Sequence, residues 1–89
     1  MLGGVVMNSK KIKAFCSCDN IDNTKTTLFV TDEEIDREMV RNALIEFDSN
    51  LLTDDEKRFE IEVGSVLLCG ECSFGDTEFF FEDVTYYYQ

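Results

Sequence analysis

Residues 59–69 read FEIEVGSVLLC, and their interpretation decides the architecture. Phe59, Ile61 and Val63 alternate with Glu60 and Glu62, which is the two-residue period of a strand with one buried face. After Gly64, residues 65–69 read as a second, shorter apolar strand. Downstream, CGEC at 69–72 reads as a turn and EFFFE at 78–82 as a strand following a Gly75–Asp76 turn. VTYYYQ at 84–89 reads as the last strand.

Upstream, LLTDDEKR at 51–58 is a loop or one helical turn, with Thr53 and Glu56 in a capping pattern. The strongest helical signal is TDEEIDREMVRNALIEFDSN at 31–50. Thr31 and Glu34 have capping-box spacing. Ile35, Met39, Ala43 and Phe47 recur every fourth residue, and Val40 and Leu44 widen the stripe. Glu33 with Arg37 and Glu38 with Arg41 are spaced to pair along the outer face. Before this helix, KKIKAFCSC at 10–18 alternates, with Ile12, Ala14, Cys16 and Cys18 on one face and Lys11, Lys13 and Phe15 on the other. DNIDNTK at 19–25 is turn chemistry, and TTLFV at 26–30 is a second strand hairpinned to the first.

The order is therefore β-β-α-β-β-β-β, an α+β class. One helix cannot cover a parallel sheet on both faces. The expected architecture is an antiparallel sheet of about five or six strands with one amphipathic helix on one face. Such a sheet leaves its second face open, yet Phe79 and Phe81 oppose Phe80, and Tyr86 and Tyr88 oppose Tyr87. Either the sheet curls enough to bury both sides, or a partner covers the aromatic residues left outside.

Residues 7–89 form a single small domain. The opening MLGGVV at 1–6 has two readings: a disordered tail, or a translated ribosome-binding site upstream of a start at Met7, with Leu2, Gly3 and Gly4 encoded by AGGAGG. The second reading places the gene in a bacterium or its phage. No apolar run approaches the ~18 residues of a membrane span, and with its thiols the chain is expected in the bacterial cytoplasm.

Nineteen acidic residues face eight basic ones, a net charge of −11. Residues 1–25 carry +2, residues 26–58 carry −6 and residues 59–89 carry −7. This field repels nucleic acid and anionic membranes and favours a basic protein partner, although it also serves solubility. Histidine is absent, which removes Ser-His and Cys-His catalysis. Glu60 and Glu62 suit a solvent face better than acid-base work, and Asp54, Asp55 and Glu56 lack the ligand pattern of a calcium loop. No enzymatic activity is expected.

Cys16, Cys18, Cys69 and Cys72 form two close pairs about 50 residues apart. Three readings are open: four ligands of one structural zinc, ordinary reduced core and turn cysteines, or a redox pair. The last is the weakest, because strand-like sequence follows CGEC where a redox motif would open a helix.

In size, charge and lack of catalytic equipment the chain is similar to the small acidic inhibitors carried by phages, including anti-CRISPR and anti-restriction proteins. The likeness is compositional and carries no residue correspondence. It implies a stoichiometric inhibitor that mimics nucleic acid on a basic bacterial defence protein. The candidate contacts are Asp32, Glu33, Asp36, Asp54, Asp55, Glu60, Glu62, Glu78, Glu82 and Asp83, with Tyr86, Tyr87 and Tyr88 as anchors. An immunity protein or antitoxin neutralising a basic nuclease, and a zinc-stabilised interaction adaptor, fit the same composition. A second copy of the chain is a further candidate partner.

Overall fold

A computed structural model describes residues 8–88; the reading of residues 1–6 lies outside them. The elements are β1 (Asn8–Asp19), β2 (Thr24–Thr31), α1 (Arg37–Phe47), α2 (Asn50–Thr53), α3 (Glu56–Cys69), β3 (Glu71–Phe74) and β4 (Thr77–Tyr88). The four strands form one antiparallel sheet in the order β2-β1-β4-β3. The α+β class and antiparallel sheet agree with the expectation; the numbers of strands and helices do not.

The main correction falls on residues 59–69, which are helical. Phe59 and Val63 are four apart, so they satisfy a helical period as well as an alternating one. Val66 extends the helical series, and these three are the buried residues of α3. Ile61, which the strand reading puts inside, is 61% exposed. The ends of α3 are marked by side-chain and backbone chemistry. Asp55 Oδ1 accepts the Arg58 N–H at 3.0 Å as the N-cap. Gly70, at φ 84°, ends the helix in the left-handed region and donates its N–H to the Val66 carbonyl. A second correction joins EFFFE and VTYYY into the single strand β4, while the Gly75–Asp76 turn stands, with Gly75 at φ 59°. CGEC straddles the last residue of α3 and the start of β3.

The helix of residues 31–50 starts later than its capping box implies. Asp36, in extended conformation, caps α1 by accepting the Met39 N–H at 2.9 Å, and Thr31 instead accepts the Glu33 N–H in a local turn at the end of β2. Val40, Ala43 and Leu44 are the buried stripe, whereas Phe47 stays partly exposed with its ring edge-on to Phe79 at 5.2 Å. Glu33 and Glu38 do not hold the arginines. Arg37 and Arg41 both reach across to Glu60 on α3, which ties the two helices together at 3.3 and 2.8 Å.

All three helices lie over the sheet face that carries Phe15, Phe79 and Phe81. There Phe15 contacts Phe29, Phe79 and Phe81 at centroid distances of 5.4, 6.2 and 4.7 Å, and Phe59, Val63, Val66, Val40 and Leu44 close the core from above. No buried side-chain nitrogen or oxygen lacks a partner among the described residues. The β1–β2 hairpin forms as expected, with Asn23 at φ 60° in its turn and a bulge at Phe15/Cys16.

β1 and β4 pair along their whole length, from Asn8↔Tyr88 to Asp19↔Thr77. β2 extends along β1 only to Lys13, and β3 along β4 only to Phe80. Residues 8–12 and 84–88 therefore leave the body as a two-stranded ribbon, and the molecule measures 61 × 29 × 21 Å. Among the described residues, no helix is long and apolar enough to cross a membrane.

Candidate acidic interface and open sheet face

The sequence between β2 and β3 builds an acidic layer. Residues 32–69 contain twelve acids and four bases, so they carry −8 of the chain's −11. Of those acids, Asp32 and Glu60 form ion pairs, with Lys10 and with Arg37 and Arg41 respectively; among the described residues the other ten form none. Neither α1 nor α3 has a basic residue in its last turn, so the partial negative charges of the helix C-termini add to the field.

The candidate contacts divide accordingly. Asp36, Asp54 and Asp55 are exposed beside the helices and Glu33 is exposed in the turn after β2, with Asp36 and Asp55 each committing one oxygen to a helix cap. Glu62 and Glu78 line one groove between α3 and the β3–β4 hairpin, where Glu62 Oε2 accepts the Ser73 N–H at 3.2 Å. Glu60, Asp32, Glu82 and Asp83 are occupied by cations. The hydrogen bond from Arg41 holds the Glu60 carboxyl below its usual range, and the Lys10, Lys25 and Lys13 ammonium groups do the same for Asp32, Glu82 and Asp83. These four are poor phosphate substitutes, because a partner's cation would have to displace one already bonded. Sequence reasoning missed Glu34, Glu38, Glu46, Asp48 and Glu56, all exposed in the helical layer, and Glu71 in the groove. The signal was present in the outward positions of residues 33–56, but pairing of Glu33 and Glu38 with the arginines had hidden it.

The three tyrosines lie on the ribbon, all exposed. Tyr86 and Tyr88 stack at 6.1 Å on the face opposite the helices, with Lys10 Nζ 5.8 Å from the Tyr86 ring; Tyr87 points to the other face. They are thus separated from the helical acids rather than interleaved with them.

The cysteines do not converge. Cys72 packs in the core beside Phe79, while Cys16 points through the opposite face of the sheet, where its thiol lies 3.6 Å from Glu82 and 3.9 Å from Thr27. Cys69 is exposed at the end of α3. Among the described residues no three Cys, Asp or Glu side chains are grouped as metal ligands. The zinc reading required all four thiols on one side of the sheet, and the strand parity of Cys16 and the core position of Cys72 put them on two. Burial first, and then the Glu62 carboxylate, push the Cys72 thiol up to about 12. Burial likewise raises Cys16. A redox pair needs the reverse, and CGEC lies at the negative end of α3. At pH 8 a disulfide reagent is expected to modify Cys69 rapidly and Cys16 and Cys72 only on unfolding; mass-resolved labelling in which Cys72 reacts as fast as Cys69 would contradict the burial described here.

Compared with family models, curated protein sequences and solved structures, the chain matches none.

Proposed function

We propose that the protein is a stoichiometric inhibitor that docks its helical acidic layer on a basic, nucleic-acid-binding bacterial protein, of the kind found in restriction or CRISPR defence. The observation that supports this reading is the charge of the helical layer: among the described residues ten of its carboxylates have no ion-pair partner, against Lys57 and Arg58 as its unpaired cations, while Arg37 and Arg41 are held by Glu60. Carboxylates held on short, capped helices stand where phosphates would, and a cationic groove selects them by complementarity and by faster encounter. Glu33, Asp36, Asp54, Asp55 and Glu62 remain from the candidate contacts, joined by Glu34, Glu38, Glu46, Asp48 and Glu56. An immunity protein acting on a basic nuclease would use the same layer, and the identity of the target separates the two.

The test is phage plating on bacterial strains that each carry one defence system, with and without the full chain expressed. Plating restored on a defended strain, together with loss of target–DNA binding when purified protein is added, is the expected result. Unchanged plating on every strain, with no effect on nucleic-acid binding by the purified defence nucleases, would rule the inhibitor reading out.

A further inference from the structure

The strand edges differ in how they are protected. On β3 the outward backbone groups are capped from α3: the Ser65 hydroxyl donates to the Glu71 carbonyl at 3.1 Å, and Glu62 Oε2 accepts the Ser73 N–H at 3.2 Å. β2 carries Lys25 and a bulge in which Leu28 has no opposite number on β1. In the ribbon, β1 is an edge strand with Lys10 and Lys11 on it. The exception is β4 beyond Phe81. β3 stops opposite Phe80, and the Gly70 carbonyl accepts the Phe81 N–H at 2.9 Å as the last bond on that side. Strand parity then turns the N–H and C=O of Asp83, Thr85 and Tyr87 outward, and among the described residues these groups have no backbone partner. Glu82 and Asp83 do not guard the edge, because their carboxylates are already bonded to Lys25 and Lys13.

We infer that this free edge of β4 pairs with the same edge of a second copy, antiparallel and centred on Thr85, so that the two sheets continue as one. The register is self-complementary. It sets Thr85 against Thr85, Val84 against Tyr86, Asp83 against Tyr87 and Glu82 against Tyr88 of the second copy, so that no carboxylate faces another and a β-branched residue meets an aromatic one. The outward residues exchange about six backbone hydrogen bonds. Tyr88 of each copy stops beside Glu82 of the other, just short of Gly70, and fills the space that β3 leaves. Centring on Asp83 would oppose two carboxylates and drive the strand end into Gly70, and centring on Tyr87 would leave fewer bonds. Charge decides the occupant. Residues 8–13 and 82–88 hold three lysines and two acids, so here a chain of net −11 can meet its own copy. A basic segment finds both carboxylates of the edge already bonded. Antiparallel pairing sends the two bodies to opposite ends, with Phe79 of one core about 40 Å along the strands from Phe79 of the other, several Debye lengths at physiological salt, where the length is about 8 Å. Of the carboxylates without ion pairs, Glu62, Glu71 and Glu78 lie at the β3 corner, where Tyr88 of the second copy arrives, and Glu33 lies across β1 beside Lys10 and Ile12.

The edge lies outside the helical layer, so this inference stands or falls apart from the proposed function. Sedimentation velocity on the full chain at about 100 μM, a concentration suited to a contact this small, should give twice the 10.2 kDa chain mass. Thr85→Pro removes an outward N–H and no bond to β1, and should halve the mass with an unchanged circular-dichroism spectrum. In a Cys69→Ser background, which removes the exposed thiol, Thr85→Cys should form a cross-linked dimer under oxidised glutathione, because residues opposed in a hydrogen-bonded pair have Cα atoms about 5.5 Å apart. Tyr87→Cys, on the same face but more than about 13 Å from its own copy in this register, should not. A wild-type monomer overturns the proposal and leaves the edge to an extended segment of another protein; a dimer that Thr85→Pro leaves intact, or equal cross-linking at positions 85 and 87, overturns it as well.

Discussion

Phe79→Ala is expected to leave the protein unfolded, or nearly so, at 25 °C. Its ring is fully buried and joins three parts of the core: Phe15 on the neighbouring strand, Phe74 on β3, and Phe47 at the end of α1. Removing a buried phenylalanine costs about 3–5 kcal/mol, because the lost transfer free energy is compounded by the cavity. A domain of this size with no disulfide rarely has more than about 3–5 kcal/mol in reserve. Urea titration followed by far-ultraviolet circular dichroism checks the expectation. A midpoint within about 0.5 M of wild type would show that the rings rearrange to fill the space, and that the core is less specific than its geometry implies. Phe80→Ala is the natural control, since Phe80 lies on the other face and is only partly buried.

Neutralising four carboxylates, as Glu33→Gln, Asp54→Asn, Glu56→Gln and Glu62→Gln together, should weaken binding to the proposed cationic target at least about a hundredfold, with little change in stability. The estimate assumes well under 1.5 kcal/mol per lost contact, the low end of measured coupling for close charge pairs at interfaces. The dependence of affinity on ionic strength should flatten in the same variant, because fewer charges take part. Glu82→Gln and Asp83→Asn serve as the contrast. Those carboxylates are bonded to Lys25 and Lys13, so their removal should cost less than threefold in affinity, under 1 kcal/mol. Calorimetric titration at two salt concentrations distinguishes the sets. Equal losses from both would mean that the net charge of the whole chain matters and the layer does not.

Local chemistry was the legible part of the fold. The β1–β2 hairpin, the Gly75–Asp76 turn and the apolar run of Val40, Ala43 and Leu44 all follow from residue types and spacing within a few positions. Residues 59–69 were misread because a five-residue window containing Phe59, Ile61 and Val63 fits both periods. The deciding residues lie outside that window: Asp55 before it and Gly70 after it, the cap and the stop of α3. In the same way Thr31 and Glu34 had the spacing of a cap, while Asp36 was the residue positioned to serve Met39. The acidic layer was visible as a charge imbalance, but which carboxylates are free was not. The pairs Lys10–Asp32, Lys13–Asp83 and Lys25–Glu82 span 22 to 70 positions along the chain, and Arg41–Glu60 spans 19. Such partners are fixed only by strand register and helix packing.

The long ladder between β1 and β4 also governs how the chain reaches this state. It joins residues as far apart as Asn8 and Tyr88, and its nearest pair is Asp19 with Thr77, so no part of it can zip until the chain has been made at least as far as Thr77. Closing loops of that length is entropically slow, and a topology dominated by distant pairings folds in milliseconds to seconds rather than microseconds. On the ribosome the first hairpin emerges roughly 2–11 seconds before its central partner, at about 5–20 residues per second. Throughout that interval the inner edge of β1 has unsatisfied amides and an exposed Phe15, making the nascent chain a substrate for chaperones.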